Sequence, residues 1–227
     1  MKVAIMQPYF FPYIGYFQLI NKVDTFVFFD DVNFIKRGWI NRNRILIDGN
    51  PHLITIPLVG ASQNKLINEI PVVNNPVWKK KLLTKIEHAY SKCTNFNIVF
   101  PLIHELISSN YQLISDYAVA SIEMVAEYIG LDTSFEVSSK KYGDIIGNGE
   151  FRIIDICKEL EADTYFNMAG GKELYDHKNF INEGIDLVFV EPKLKSYNQA
   201  NFDGFEAGLS IIDLLFNVNR EDLSAHL

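Results

Sequence analysis

The chain has 227 residues, of which 48% are hydrophobic, 13% aromatic and 22% charged. This composition excludes a disordered chain, a collagen-like fibre and a disulfide-stapled miniprotein, and it predicts a globular protein with a sizeable core. The formal net charge of −7 argues against a basic nucleic-acid-binding surface. We therefore expect no nucleic-acid partner, and any anion site must be local.

The two cysteines, Cys93 and Cys157, have no C-x-x-C spacing, which favours a reducing compartment over a disulfide framework or a thiolate zinc site. The five histidines show no metal-ligand spacing, so no metal site is expected from them. Gln7 and Pro8 interrupt the first apolar run too early for a signal peptide, and no later run is long enough to span a bilayer. We expect a cytoplasmic protein without a membrane span.

The N-terminal residues predict a βαβ unit. Residues 3–6 are an apolar strand pattern, residues 14–21 have helical spacing, and residues 25–29 are β-branched and aromatic. Ligands of such units bind beyond the carboxyl ends of the strands. The loops 7–12 and 30–37 should therefore lie side by side and form a ligand-binding edge.

The rest of the chain predicts further α/β structure around a helical insertion. Asp48-Gly49, between residues 44–47 and 53–57, is typical of a β-hairpin, and residues 76–130 show helical apolar stripes. The later elements expected are strands at 135–137, 164–167 and 186–190 and helices at 150–160 and 209–216. The predicted fold class is α/β, with a mainly parallel sheet, an N-terminal βαβ unit, a β-hairpin and a helical insertion. We expect a single domain of residues 1–227 that contains 76–130 as an insertion or subdomain.

Residues 36–44 are the densest polar stretch of the chain. The stretch contains four cations and two amides, namely Lys36, Arg37, Asn41, Arg42, Asn43 and Arg44. Arginine forks match pairs of phosphate or carboxylate oxygens, and asparagine amides orient hydroxyl groups. The stretch predicts a site for a nucleotide-sugar or another phosphorylated small molecule. The alternative is a solvated basic turn that leads into the hairpin.

Asp30 and Asp31 follow the second predicted strand, where α/β enzymes often hold magnesium or a ribose hydroxyl. Adjacent strand residues point to opposite faces, so these carboxylates are not expected to act as a matched pair. Either is a candidate general base. A nucleotide with Mg²⁺ is compatible with the pattern, although the cofactor itself is left open. Structural pairing, for example with Arg37, is the alternative.

The turn after the first strand holds Gln7, Tyr9, Tyr13, Gly15 and Tyr16. Aromatic rings there can stack on a base or sugar, Gly15 lets the backbone approach a phosphate, and Gln7 has no apolar role. The sequence 12–16, Pro-Tyr-Ile-Gly-Tyr, also resembles the P-H-x-G-H turn of the α/β nucleotidylyltransferase superfamily. Both histidine positions are tyrosine here, which carries no positive charge near neutral pH. The alternative is a loop pinned by core aromatics.

Two later stretches are weaker candidates for ligand binding. Gly170, Gly171 and Lys172 follow a predicted strand, so backbone N–H groups and a lysine can meet an anion there. The P-loop spacing is absent, which makes a plain tight turn the alternative. Tyr197 and Gln199 precede the last helix, where their polar groups reach a ligand or tie down the C-terminal loop.

Several segments together resemble the WbqC-like protein family. They are Ala4-Ile5-Met6-Gln7-Pro8, Phe11-Pro12, Gly15-Tyr16-Phe17, Phe29-Asp30-Asp31-Val32, residues 36–44, residues 170–175, residues 197–199 and residues 209–217. The resemblance spans nearly the whole chain. It implies an association with O-antigen and other surface-polysaccharide gene clusters, and a role in transferring glycine or another amino-acid acyl group to an amino sugar. By that resemblance, the four cations of residues 36–44 would bind the phosphates of a nucleotide-linked sugar or activated donor.

Three functional hypotheses follow. The first is a transferase that N-acylates a nucleotide-linked amino sugar, with Asp30 or Asp31 as the base. The second is an ATP-dependent nucleotidylyl or adenylyl transferase, suggested by the turn at Tyr13 and Tyr16. The third is a non-enzymatic binding module in polysaccharide assembly. The sequence leaves the sugar, the acyl donor and the oligomeric state open.

Overall fold

The computed structural model describes residues 1–200 and 202–227. Its strands in chain order are β1 (Lys2–Met6), β2 (Thr25–Phe28), β3 (Arg42–Ile47), β4 (Asn50–Thr55), β5 (Ser134–Val137), β6 (Thr164–Met168) and β7 (Asp186–Val190). Its helices are α1 (Ile14–Ile20), α2 (Pro76–Tyr90), α3 (Phe96–Ser108), α4 (Ile114–Ile129), α5 (Ser138–Lys141), α6 (Gly149–Glu159), α7 (His177–Asn182) and α8 (Ile211–Asn217). Short 3₁₀ segments cover Ile67–Glu69, Ala169–Leu174 and Arg220–His226.

Five strands form one parallel sheet in the order β5-β2-β1-β6-β7, and β3 and β4 form a separate antiparallel hairpin. The chain moves from β1 through β2 to β5, and then returns to the other side of β1 with β6 and β7. The strand order therefore reverses between β1 and β6. The predicted α/β class, the N-terminal βαβ unit and the hairpin are confirmed.

The central strand β1 is buried on both faces of the sheet. Val3 and Ile5 pack into one hydrophobic cluster, which includes α6, whereas Ala4 packs into a second cluster that includes α2, α3, α4 and α8. Successive side chains of a strand point to opposite faces, so a strand covered on both sides must be apolar throughout. This explains why residues 3–6 show no polar alternation.

The predicted helical stretch 76–130 consists of three helices. Asn75 caps α2, its side chain accepting a hydrogen bond from Val77 N over 2.8 Å, and Pro76 occupies the first turn, where its missing N–H costs nothing. Gly130 ends α4 with φ of 84°, a conformation that favours glycine. The middle helix α3 was not predicted as a separate element because Pro101 lies inside it.

The hairpin begins earlier than predicted. The strand β3 includes Arg42 and Asn43 as well as the predicted Arg44, so these two residues are strand residues and not part of the preceding turn. Their side chains alternate accordingly: Asn43 is buried, whereas Arg42 and Arg44 are partly exposed. Six residue pairs, from Arg42 with Thr55 to Ile47 with Asn50, set the register.

A buried carboxylate ties the C-terminal loop to α8. Asp213 is fully buried and accepts hydrogen bonds from Tyr90 Oη at 2.7 Å, Tyr197 Oη at 2.8 Å and Gln199 Nε2 at 2.9 Å. Burial raises the pKa of Asp213, whereas these three donors lower it. The phenol of Tyr197 and the amide of Gln199, both predicted to bind a ligand, therefore donate their hydrogen bonds to Asp213 within the protein.

Among the residues that the structure describes, no helix is both long enough and apolar enough to cross a bilayer.

We predict that Asp213→Ala lowers the free energy of unfolding by about 3 kcal/mol, because it leaves three buried donors without an acceptor. Urea denaturation followed by circular dichroism measures the loss. Asp155→Ala is the control, since Asp155 is exposed on α6. Equal midpoints for the two variants would contradict a stabilising role for the Asp213 cluster.

Candidate functional site

A cleft of about 590 Å³ opens where the strand order reverses. Its walls come from the carboxyl ends of β1 and β6, the turn after β1, the start of α6 and the 3₁₀ segment after β6. The lining residues are Ile5, Met6, Gln7, Tyr9, Tyr13, Tyr16, Phe29, Val32, Ile35, Gly149, Glu150, Ile153, Asn167, Met168, Gly170, Gly171, Leu174 and Tyr175. Open α/β sheets bind their ligands at such a reversal.

The turn after β1 forms the aromatic wall of the cleft. Gln7, Tyr9, Tyr13 and Tyr16, all predicted from the sequence, line it. Tyr16 Oη donates a hydrogen bond to Gln7 O over 2.8 Å, which fixes the main chain as it leaves the strand. Gln7 Oε1 is buried and has no hydrogen-bond partner within the described part of the chain. The aromatic wall thus includes a glutamine whose acceptor is unsatisfied in the protein.

Gly15 has a different function from the predicted one. A Cβ atom at this position would lie 2.4 Å from Tyr13 Cε2, because the Tyr13 ring rests directly on the glycine. The glycine therefore makes room for an aromatic ring, and the ring covers the backbone that was expected to approach a phosphate. Burial raises the pKa of Tyr13, so its phenol stays protonated at neutral pH.

A polar chain of hydrogen bonds lies on the opposite wall. Asn167 Nδ2 donates to Tyr175 Oη over 2.9 Å and to Tyr165 Oη over 3.0 Å, while Asn167 Oδ1 accepts from Met168 N over 2.7 Å. Burial raises the pKa of Tyr175, so this phenol keeps its proton. Within the described residues Tyr175 Oη accepts from Asn167 and donates no bond of its own, so its O–H is available to a group in the cleft.

Glu150 is the one carboxylate among the lining residues that the structure describes. It lies in the first turn of α6, where the helix dipole favours a negative charge. Its Oε2 accepts from Asp176 N over 2.8 Å, and its Oε1 accepts from Asn179 Nδ2 over 2.6 Å. Glu150 is therefore held in place beside Tyr175 by these two bonds, and residues 1–200 and 202–227 offer it no cationic partner.

Sequence reasoning missed Glu150, Asn167 and Tyr175. Asn167 was placed at the end of a predicted strand, and Glu150 at the start of a predicted helix, so their element ends were known. The pairing of β6 with β1 and the contact of α6 with the end of β2 were not known, and together they bring the two element ends to the same crevice. A polar residue at the end of an apolar strand was the available signal.

Gly170 and Gly171 line the cleft, as the sequence predicted for ligand-binding residues. Lys172 lies outside the lining: its Nζ is 3.2 Å from Glu191 Oε1, and both side chains are exposed. The backbone of the turn thus contributes to the cleft, whereas the lysine forms a surface ion pair.

Asp30 and Asp31 do not line the cleft. Asp30 accepts hydrogen bonds from Ser139 N at 2.9 Å and Ser139 Oγ at 2.7 Å, and it faces a separate cavity of about 160 Å³. Burial raises the pKa of Asp30, against the lowering effect of these two bonds. Asp31 pairs with Arg152, whose Nη1 lies 3.2 Å from Asp31 Oδ1. The predicted general bases are therefore engaged in structural contacts at the end of β2.

The cations of residues 36–44 lie outside the cleft walls. The guanidinium groups of Arg42 and Arg44 are each 6.0 Å from the Trp39 ring centroid, and Arg44 Nη1 is 3.5 Å from Glu206 Oε1. Lys36 and Arg37 are exposed. Their neighbour Ile35 does line the cleft, so this segment meets the cleft only at its mouth.

The two asparagines of the same segment bind the protein main chain. Asn43 Nδ2 donates to Phe11 O over 2.7 Å, and Asn41 Nδ2 donates to Ile56 O over 2.9 Å. Phe10 N also donates to Trp39 O over 3.1 Å. The cationic segment and the aromatic turn are thus in direct contact through the Asn43 amide, whereas the Asn41 amide ties the segment to the residue after β4.

The model of the WbqC-like protein family matches residues 7–225. The chain belongs to the WbqC-like protein family. The uncharacterized protein Rv1507c of Mycobacterium tuberculosis (strain ATCC 25618 / H37Rv) is 30% identical to it over 226 residues, which cover 97% of this chain and 95% of that protein. No solved structure matches the chain significantly. All the residues that line the cleft of this WbqC-like protein, except Ile5 and Met6, lie within the matched range.

We predict that Asp31→Ala lowers the free energy of unfolding by about 3 to 5 kcal/mol, because it leaves the Arg152 guanidinium buried without its carboxylate. The side chains of Arg152 and Asp31 are only 9% and 10% exposed. Chemical denaturation measures the loss. The control is Glu183→Ala, which breaks the exposed pair with Lys158 and should leave the midpoint nearly unchanged. A fully stable Asp31→Ala protein would contradict a structural role for this pair.

Proposed function

We propose that this WbqC-like protein is a transferase of surface-polysaccharide biosynthesis that N-acylates a nucleotide-linked amino sugar with glycine or a similar amino-acid acyl group. Membership of the WbqC-like family supports the role in polysaccharide biosynthesis. The observation that carries the proposal is the cleft at the reversal of strand order, the place where open α/β sheets take nucleotide ligands.

The aromatic wall suits the cyclic parts of such a substrate. Tyr9 and Tyr13 present rings to the cleft, and aromatic rings stack on sugar or base faces. Gln7 Oε1 is buried without a partner in the described part of the chain, so it is available to accept an N–H or O–H of a ligand. The wall therefore combines a stacking surface with one polar contact that depends on the orientation of the ligand.

The polar wall suits acyl transfer. The sugar amine attacks the carbonyl carbon of an activated acyl donor, such as a thioester or acyl phosphate, and a C–N bond forms. The bond to the leaving group breaks, and that group departs with the electron pair. Glu150 accepts the proton lost by the amine, and the Tyr175 O–H donates to the carbonyl oxygen as it gains negative charge. Asn167 positions Tyr175 for this contact.

We predict that Glu150→Gln reduces acyl transfer by about 10²- to 10⁴-fold, because the amide cannot accept the amine proton. The assay incubates the protein with nucleotide-linked amino sugars and glycyl thioester, and mass spectrometry detects the acylated sugar. Sugar binding measured by calorimetry should be retained. Glu159→Gln, at an exposed position of the same helix, is the control. Equal rates for the two variants would exclude Glu150 as the base.

Adenylyl or nucleotidylyl transfer is a second candidate, and one observation favours it. Numbered among themselves, the parallel strands run 3-2-1-4-5, the order found in dinucleotide-binding sheets, and the Pro12–Tyr16 turn follows the first of them. Tyr16, however, is fully buried, and its hydroxyl donates to the main chain. The turn thus has the same position as that of nucleotidylyltransferases, but its Tyr16 side chain is not free to contact a nucleotide.

Pyrophosphate release separates the two reactions. With ATP, Mg²⁺ and glycine, acyl transfer from a preformed donor predicts no pyrophosphate, whereas adenylyl transfer predicts one pyrophosphate for each adenylate formed. An enzyme-coupled phosphate assay with pyrophosphatase measures it. Sugar affinity without turnover in either assay would favour the third hypothesis, a non-enzymatic binding module.

A further inference from the structure

Residues 32–68 form one of two cationic segments in this acidic chain. The segment contains five cations, Lys36, Arg37, Arg42, Arg44 and Lys65, and one acid, Asp48, for a net charge of +4. Residues 70–104 carry the same net charge, with five lysines and one acid. Charge alone therefore attracts an anionic partner to either segment, and the apolar side chains beside the charges distinguish the two surfaces.

The tip of the cationic segment also exposes large apolar side chains. Ile35 is 48% exposed and Trp39 is 40% exposed, and Lys36 and Arg37 between them are exposed as well. We name residues 35–39 the basic turn. Cations beside an exposed tryptophan and isoleucine are the pattern of surfaces that lie in the headgroup region of a bilayer.

The basic turn has a fixed conformation. Gly38 N donates to Ile35 O over 3.2 Å, and Arg42 Nε donates to Gly38 O over 3.0 Å. The guanidinium groups of Arg42 and Arg44 lie beside the Trp39 ring. These contacts hold Trp39 in its exposed position, so its exposure is a property of the folded turn.

Neighbouring residues extend the same surface. Phe34 N donates to Lys65 O over 2.9 Å, which brings the cationic Lys65 beside the basic turn. Val59, in the loop that leads to Lys65, is 51% exposed. Ile35 lines the cleft as well as the surface, so the surface is continuous with the mouth of the cleft.

We propose that the basic turn docks on an anionic lipid bilayer, with Ile35 and Trp39 in the headgroup region and Lys36, Arg37 and Lys65 against lipid phosphates. The bilayer then lies at the mouth of the cleft. Charge complementarity selects an anionic partner, and the exposed aliphatic side chains select a bilayer over a nucleic acid, whose phosphates offer them no apolar contact. This inference does not depend on the reaction catalysed in the cleft.

Vesicle co-sedimentation tests the docking. The purified chain should bind vesicles of phosphatidylglycerol and phosphatidylcholine, should not bind vesicles of phosphatidylcholine alone, and should dissociate at high salt. Lys36→Glu/Arg37→Glu should weaken binding at least about tenfold, since each cation near an anionic surface contributes a factor of about five.

The matched control is Lys80→Glu/Lys81→Glu, which changes the net charge equally at two exposed positions of α2. This control should bind anionic vesicles as the parent protein does. Equal loss in both double variants, or equal sedimentation with both kinds of vesicle, would overturn the proposal. Preferential binding to RNA or DNA oligonucleotides over the vesicles would also overturn it.

Tryptophan fluorescence gives an independent readout of the orientation. The chain has two tryptophans, and Trp78 donates to Val73 O over 2.8 Å in a half-buried position. In Trp78→Phe, emission comes from Trp39 alone, and anionic vesicles should shift it to shorter wavelength and protect it from iodide. Vesicle binding without either change would exclude docking through the basic turn.

Discussion

The burial of β1 on both faces is the constraint on which the site depends. The strand pairs in parallel with β2 on one side and β6 on the other. The chain after β1 leads towards β2, whereas the chain after β6 leads towards β7 on the opposite side. The loops after β1 and β6 therefore separate, and a crevice remains between them. The aromatic wall and the polar wall face each other across that crevice. A polar residue within β1 would weaken the sheet and displace both walls.

Three buried carboxylates near this framework are stabilised in three different ways. Asp31 has a cationic partner in Arg152, Asp30 has the hydroxyl and backbone of Ser139, and Asp213 has two phenols and an amide. All three fix loops, since each joins residues far apart in the chain. Glu150 differs because it is hydrogen-bonded and also faces the cleft. Exposure to the cleft at the reversal of strand order separates the candidate base from the structural acids, since Asp30 faces only a separate, smaller cavity.

Local patterns predicted much of the fold because they reflect local physical chemistry. Apolar runs at residues 3–6 and 25–29 became adjacent parallel strands, and Asp48-Gly49 became the turn of the hairpin. The aromatic turn was expected at the carboxyl end of β1, and its residues line the cleft there, whereas their part in ligand binding stays a prediction. The cationic segment was assigned to the same pocket because charge density is visible in sequence, whereas the direction of a side chain is not. Its arginines flank Trp39.

By itself, the sequence determined the α/β class, the βαβ unit and the hairpin, because hydrophobic period and turn chemistry act over a few residues. It also put the aromatic turn, which forms one wall of the crevice, directly after β1. Only the tertiary structure decided that Glu150, Asn167 and Tyr175 face that wall and that Asp30 and Asp31 bind the protein itself. It also decided that the basic turn lies at the mouth of the cleft. These results depend on the pairing of β6 with β1 and on the contact of α6 with the end of β2. Both join residues more than a hundred positions apart, and no local pattern encodes such a distance.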